Sequence, residues 1–116
     1  MDKMEARRQA KQMMRKHLSK MPHYKWGKDT YYIEQTYYAD SNAAIRILME
    51  SGETWGMLSA NIPMWAGLLK PGQFFAKTWS ENEDWSKAAL ASGLFIDTGE
   101  GCLTGFVRAP IWQMNF

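Results

Sequence analysis

Residues 77–93 constrain this chain more than any other stretch. Ser80 and Glu83 stand in the S-x-x-E spacing of a capping box, where the Ser side chain accepts from the N3 amide and the Glu reaches back to the N-cap amide. Glu81, Glu83 and Asp84 put negative charge on the first turn, where the helix dipole favours it. Gly93 stands where a left-handed C′ residue is wanted, and Leu94 can fold back on Ala89 in a Schellman closure. The spacing predicts a short helix over residues 81–92, set between stretches that read as strands.

Around that helix the chain reads as follows. Residues 2–21 carry Ala6, Ala10, Met13, Met14, Leu18 and Met21 at three- and four-residue steps, an amphipathic helix closed by Pro22. Residues 24–27 are a loop or short strand, and residues 30–37 are β-rich. A turn at 39–42 leads to a strand over 43–49, and Gly52 turns the chain into a third strand over 55–62. In that strand Leu58, Ala60 and Ile62 face one side, and Trp55, Met57, Ser59 and Asn61 the other. An apolar linker (64–69) and a Pro71-Gly72 turn precede a fourth strand over 73–78. After the helix come a fifth strand from Leu94, a turn at 98–101 and a sixth strand over 102–107; Pro110 is expected only at an edge or strand end. This is an α+β pattern: a mostly antiparallel β-sheet with a basic N-terminal helix and one short capped helix.

Charge divides the chain in two. Residues 1–20 hold Lys3, Arg7, Arg8, Lys11, Arg15, Lys16 and Lys20 against Asp2 and Glu5, a net +5, whereas the other 96 residues are at −3. The expected organisation is therefore a basic helical arm (1–21) on an α+β domain (22–116). The arm's stripe is Met and Ala rather than Leu and Ile, so it packs adaptably. It is expected to lie over the domain's sheet, with its basic face turned to a partner. It lacks the Trp, Phe or repeated Leu of a membrane-surface helix, and no apolar run approaches the ~20 residues of a membrane span. The lone Cys102 cannot form an internal disulfide, and the first 20 residues show no secretory apolar core. A cytoplasmic protein with no membrane contact is expected.

No catalytic constellation, metal site, phosphate loop or cofactor motif emerges. His17 and His23 have no His or Cys at ligand spacing and are expected to be solvated; Cys102 has no His placed to activate it and is expected to be a buried thiol. Glu81 and Glu83, two apart on a helix, point about 200° from one another, and capping and the dipole account for the acidic trio with Asp84. Asn61 is expected to bond the backbone beside Pro63. Aromatic residues make up 14% of the chain, too many for so small a domain to bury completely. Tyr31, Tyr32, Tyr37, Tyr38 and Trp55, from adjacent strands, are expected to tile one sheet face, either under the arm or as a patch that anchors a partner or stacks bases. Few cations interleave with them, only Arg46 being central, which favours a protein partner. The candidate binding residues are Arg7, Arg8, Lys11, Arg15 and Lys16 of the arm, with Tyr37, Tyr38 and Trp55 of the sheet.

One resemblance adds to this reading. Ala43-Ala44-Ile45-Arg46-Ile47, Gly52-Glu53 and Leu58-Ser59-Ala60-Asn61-Ile62-Pro63 resemble the hairpin of a small family of proteins from bacterial plasmids and phages, a domain of unknown function. Lys77-Thr78-Trp79-Ser80-Glu81-Asn82-Glu83, Gly93-Leu94, Thr98-Gly99 and Gly105-Phe106-Val107 match the rest of its pattern. The resemblance spans residues 30–114, omits the arm and carries no active site. It implies a mobile-element setting, in which small proteins block host machinery such as CRISPR or restriction effectors. The expectation is a non-enzymatic binding protein that contacts a host protein complex; a nucleic-acid-associated accessory protein using the arm is the alternative.

Overall fold

Turn residues build the first sheet hairpin by hairpin. In the computed structural model, which describes residues 2–116, β1 (His23–Trp26) turns at Gly27 into β2 (Asp29–Tyr37), which returns through residues 39–42 into β3 (Ala43–Leu48). β3 turns at Gly52 into β4 (Thr54–Met57). Gly52 has φ +86°, a conformation open to glycine because it lacks a Cβ. The pairings are antiparallel and the order is β1-β2-β3-β4.

The single strand expected over residues 55–62 is two strands in two sheets. β4 ends at Met57, and β5 (Ser59–Ala60) opens a second antiparallel sheet with β6 (Gln73–Ala76), β7 (Phe95–Thr104) and β8 (Val107–Met114), in the order β5-β6-β8-β7. Hydrogen bonds fix the corner. Leu58 N–H donates to the Ile45 carbonyl at 2.9 Å, Lys77 N–H donates to the Leu58 carbonyl at 2.7 Å, and Ile45 N–H donates to the Ser59 hydroxyl at 2.9 Å. Leu58 and Ser59 are both buried, so simple alternation breaks where the chain changes sheet.

The turn expected at 98–101 is a bulge inside β7. Between the pairs Asp97–Trp112 and Gly101–Pro110, Thr98, Gly99 and Glu100 face Ile111 alone. Thr98 Oγ1 donates to the Ile111 carbonyl at 2.8 Å in place of a ladder bond, and the hairpin turn itself lies at Gly105. Pro110, expected at an edge or strand end, sits inside the central strand β8. It is tolerated there because the pairing with β6 stops at Ile111 and the bulge loosens the β7 side. Gly101 is required by this close approach: a Cβ would lie 2.7 Å from the Ala109 carbonyl oxygen.

Helix α2 (Glu83–Ala91) contacts both β1 and β7, the edges of the two sheets farthest from the corner. It buries Trp85 and Ala89 in a core with Tyr31, Ile33, Ile45, Ile47, Leu58, Phe74, Phe95 and Trp112. The other face of the second sheet (Phe75, Cys102, Ala109, Ile111) is covered by Ile62, Leu69 and Trp79, so the thiol is buried as expected.

The predicted capping box does not form. Ser80 takes φ +59° in a 3-10 turn (Ser80–Asn82), and α2 starts at Glu83 without a side-chain cap. The buried Asn82 explains why: its amide donates to the Met57 carbonyl at 2.7 Å and the Lys77 carbonyl at 3.0 Å, tying the helix start to the ends of β4 and β6. At the other end Gly93 is left-handed (φ +82°) as expected. The Schellman bond from Leu94 is relayed, however: Leu94 N–H donates to the Ser92 hydroxyl, which donates to the Ala89 carbonyl.

The arm also departs from expectation. α1 (Lys3–Ser19) does not lie over a sheet; every residue from Lys3 to His17 is exposed and only Leu18 is buried. The radius of gyration is accordingly 15.9 Å, against the roughly 13 Å of a compact chain of this length.

Candidate partner-binding site

The arm is a well-specified helix despite its exposure. The Asp2 carboxylate accepts from Glu5 N–H at 2.8 Å, and Lys16 lies in the last turn, where a cation complements the dipole. At 100° per residue, Lys3, Arg7, Lys11 and Arg15 fall on the same side as Met14 and Leu18. That side meets the body only at its C-terminal half. Ala10, Lys11, Met14, Arg15 and Leu18 line a depression of about 790 Å³ with Tyr32, Glu50 and Ser51. Gly52 admits the Met14 side chain, whose sulfur lies 2.7 Å from where a Cβ would stand. Lys11 and Arg15 are thus brought to the body, while Arg7, Arg8 and Lys16 are not. Among the described residues none of the arm's cations is ion-paired; the pairs are Arg46–Glu34, Lys77–Glu81 and Lys87–Glu83.

The sheet residues expected to join them form no common tile. Alternation along β2 separates Tyr31 and Tyr37 from Tyr32. Tyr37 is exposed at the far end of β2. Tyr38 is half-buried; its hydroxyl lies 2.8 Å from Ser59 Oγ and donates to the Ser59 carbonyl at 3.2 Å. Trp55 is 44% exposed and packs edge-on to Tyr31 at 5.4 Å, where Trp26, 37% exposed, also meets Tyr31 at 6.1 Å. Trp55 and Trp85 wall a hollow of about 430 Å³ over Gly56, lined also by Lys77 and Glu81. Trp26 was not singled out from the sequence; its pairing with Asp29 across Gly27 is the signal that places it beside Tyr31.

Several of the polar and titratable side chains are tied into the fold. Lys77 Nζ bonds Glu81 at 2.7 Å and, with Glu81's own N–H and the Ser80 hydroxyl, holds that carboxyl down to about 2. Burial pushes the Cys102 thiol up, against a smaller opposite effect of Arg108. His17 and His23 are exposed. Asn61 bonds not the backbone beside Pro63 but Asp40, donating to its Oδ2 at 3.1 Å; this bond is the chief reason the Asp40 carboxyl lies below its ordinary value. Among the described residues no group of three His, Cys, Asp or Glu is placed to hold a metal ion, and no helix is long and apolar enough to cross a membrane. Comparison of the chain with family models, curated proteins and solved structures found no match.

Proposed function

We propose that this chain is a non-enzymatic binding protein of a mobile element that acts by protein–protein contact, seating its arm on an acidic, partly apolar face of a host defence complex. The observation that carries this reading is α1 itself. It is a helix about 25 Å long by its rise per residue, seated on the body only by its C-terminal half, and among the described residues its cations are unpaired. Met4, 74% exposed, neighbours Arg7 and Arg8 on the helix, and Met13, 71% exposed, lies on the opposite side beside Lys16. A phosphate backbone gains little from methionines, whereas a helix laid in an acidic apolar groove uses both residue types. The mobile-element setting, and the choice of a CRISPR or restriction complex as target, rest on the resemblance over residues 30–114. The nucleic-acid reading is supported by the same run of unpaired cations.

One experiment separates the two. The full chain and a triple variant (Arg8→Glu, Lys11→Glu, Arg15→Glu) are used as baits in nuclease-treated bacterial lysate, with binding to random duplex DNA measured against salt. A host protein retained by the native chain and lost by the variant, at unchanged Tm, is the expected result. Equal retention by both baits would sink the reading. DNA binding whose affinity falls with salt at a log–log slope of several units would replace it with the nucleic-acid alternative.

A further inference from the structure

Each sheet has one edge strand far from the corner, and the two edges differ. The edge of β7 is blunted by its bulge: Gly99 N–H donates to Asp97 Oδ1 at 2.9 Å and Glu100 N–H to Thr98 Oγ1 at 3.2 Å. β1, four residues long and carrying Lys25, has no bulge, and among the described residues its outward backbone groups have no side-chain cap. Ile33 N–H donates to the Pro22 carbonyl at 2.8 Å, which sets the alternation with β2: Tyr24 and Trp26 exchange ladder bonds with Tyr31 and Asp29. The N–H and C=O groups of His23 and Lys25 therefore point away from the sheet. Among the described residues no backbone or side-chain hydrogen bond reaches these four groups.

They open on a groove between β1 and α2, lined by Tyr24 and Trp26 on one side and by Ala88, Ala91 and Ser92 on the other, with Asp84 and Lys87 along the helix. Small side chains on α2 keep that wall back from the strand. The groove measures about 710 Å³. A four-residue extended segment at sheet spacings fills roughly 600 Å³, a comparable volume.

We propose that an extended segment of a partner protein adds to β1 as a fifth strand of the first sheet, running in the groove beside α2. The groups on offer are alternating donors and acceptors at strand spacing, which a peptide backbone matches. A nucleic-acid backbone does not, because its phosphates would face the two carbonyls. Strand addition of this kind takes affinity from main-chain bonds and selectivity from alternate side-chain positions. Alternate side chains of the segment fall toward Ala88 and Ala91, where small or apolar groups fit, and the others toward solvent. This surface is separate from the arm.

The test selects a random nonapeptide display library on the full-length chain and scans an enriched peptide by N-methylation of each amide. Methylation at alternate positions is expected to weaken binding about tenfold, the size of one lost hydrogen bond, and to have little effect between them. Lys25→Pro, which removes an outward N–H at an edge that tolerates proline, and Ala91→Trp, which fills the groove, are each expected to weaken binding at least about tenfold. The arm triple variant should bind the peptide normally, so failure of the arm reading and failure of this one are distinguishable. Should Lys25→Pro fail to fold, Ala91→Trp and the methylation scan decide. No enriched peptide, a non-alternating methylation pattern, or indifference to Ala91→Trp would overturn the proposal.

Discussion

The two helices are both amphipathic, yet they have opposite fates. α2 is nine residues long, buries Trp85, Ser86 and Ala89, and joins the two sheets; α1 is seventeen residues long and buries only Leu18. Length and periodicity do not explain the difference. α2 presents a large aromatic beside small residues, and Gly56 lets Trp85 settle against β4: a Cβ there would lie 3.1 Å from Trp85 Cζ2. α1 flanks Met14 and Leu18 with Lys11 and Arg15, so burying more of that stripe would strip water from cations that have no partner on the body. A stripe is buried when its neighbours on the helix can be buried with it.

Breaking the α2 side should have the largest effects. Trp85→Ala is expected to cost about 3–5 kcal/mol, the usual range for truncating a buried Trp. A urea midpoint close to that of the native chain would show that α2 does not hold the sheets together. Asn82→Ala leaves the Met57 and Lys77 carbonyls without that donor and should cost about 2–3 kcal/mol. Ser80→Ala, read by the same denaturation, should show no capping loss.

Alkali probes the same body by charge. Burial, with a smaller contribution from Tyr31, pushes the Tyr24 hydroxyl from 10.0 up to about 12. A raised folded value means that the contribution is complete below pH 10 and is lost as pH rises toward 12. The expected loss is about 2 kcal/mol, and Tyr24→Phe should flatten the dependence. An identical alkaline profile in that variant would show that another group is responsible.

The α1 side should yield smaller effects. Gly52→Ala forces a Cβ into Met14 at a positive φ and is expected to cost about 1 kcal/mol. Amide exchange in α1 should quicken, as its seat on the body is lost. Deleting residues 1–16 should change Tm least of all, by less than about 0.5 kcal/mol in stability, since exposed residues contribute little. A large fall in Tm, or association of the truncated chain, would show that the arm covers the body after all.

How much was legible in the sequence follows from how local each signal is. The Gly52 turn, the Gly93 helix end and the extent of the first helix are decided by residues within a turn of one another, and they read well. The corner at Leu58 is decided by Ile45 and Lys77, the bulge by Ile111 and the start of α2 in part by Met57, each far from it in sequence. Of the candidate binding residues, Arg7, Arg8, Lys11, Arg15 and Lys16 are exposed and Trp55 half-exposed. Tyr38 is half-buried and hydrogen-bonded to Ser59, a bond that no local pattern announces.

By itself, the sequence determined that the segments near 3–19 and 83–91 are helical, where Gly52 turns the chain and Gly93 ends a helix, and that the charge is concentrated on the first twenty residues; it did not announce β8 or its turn at Gly105. The helices and glycine turns follow from backbone sterics and periodicity, which act over a few residues. Only the tertiary structure decided that one predicted strand serves two sheets, that Ser80 bends instead of capping, and that the edge of β1 stays open beside α2. The first two depend on where buried carbonyl and amide groups find partners across the fold, since a buried polar group left unpaired costs more than a local preference can offset; the third depends on where α2 packs.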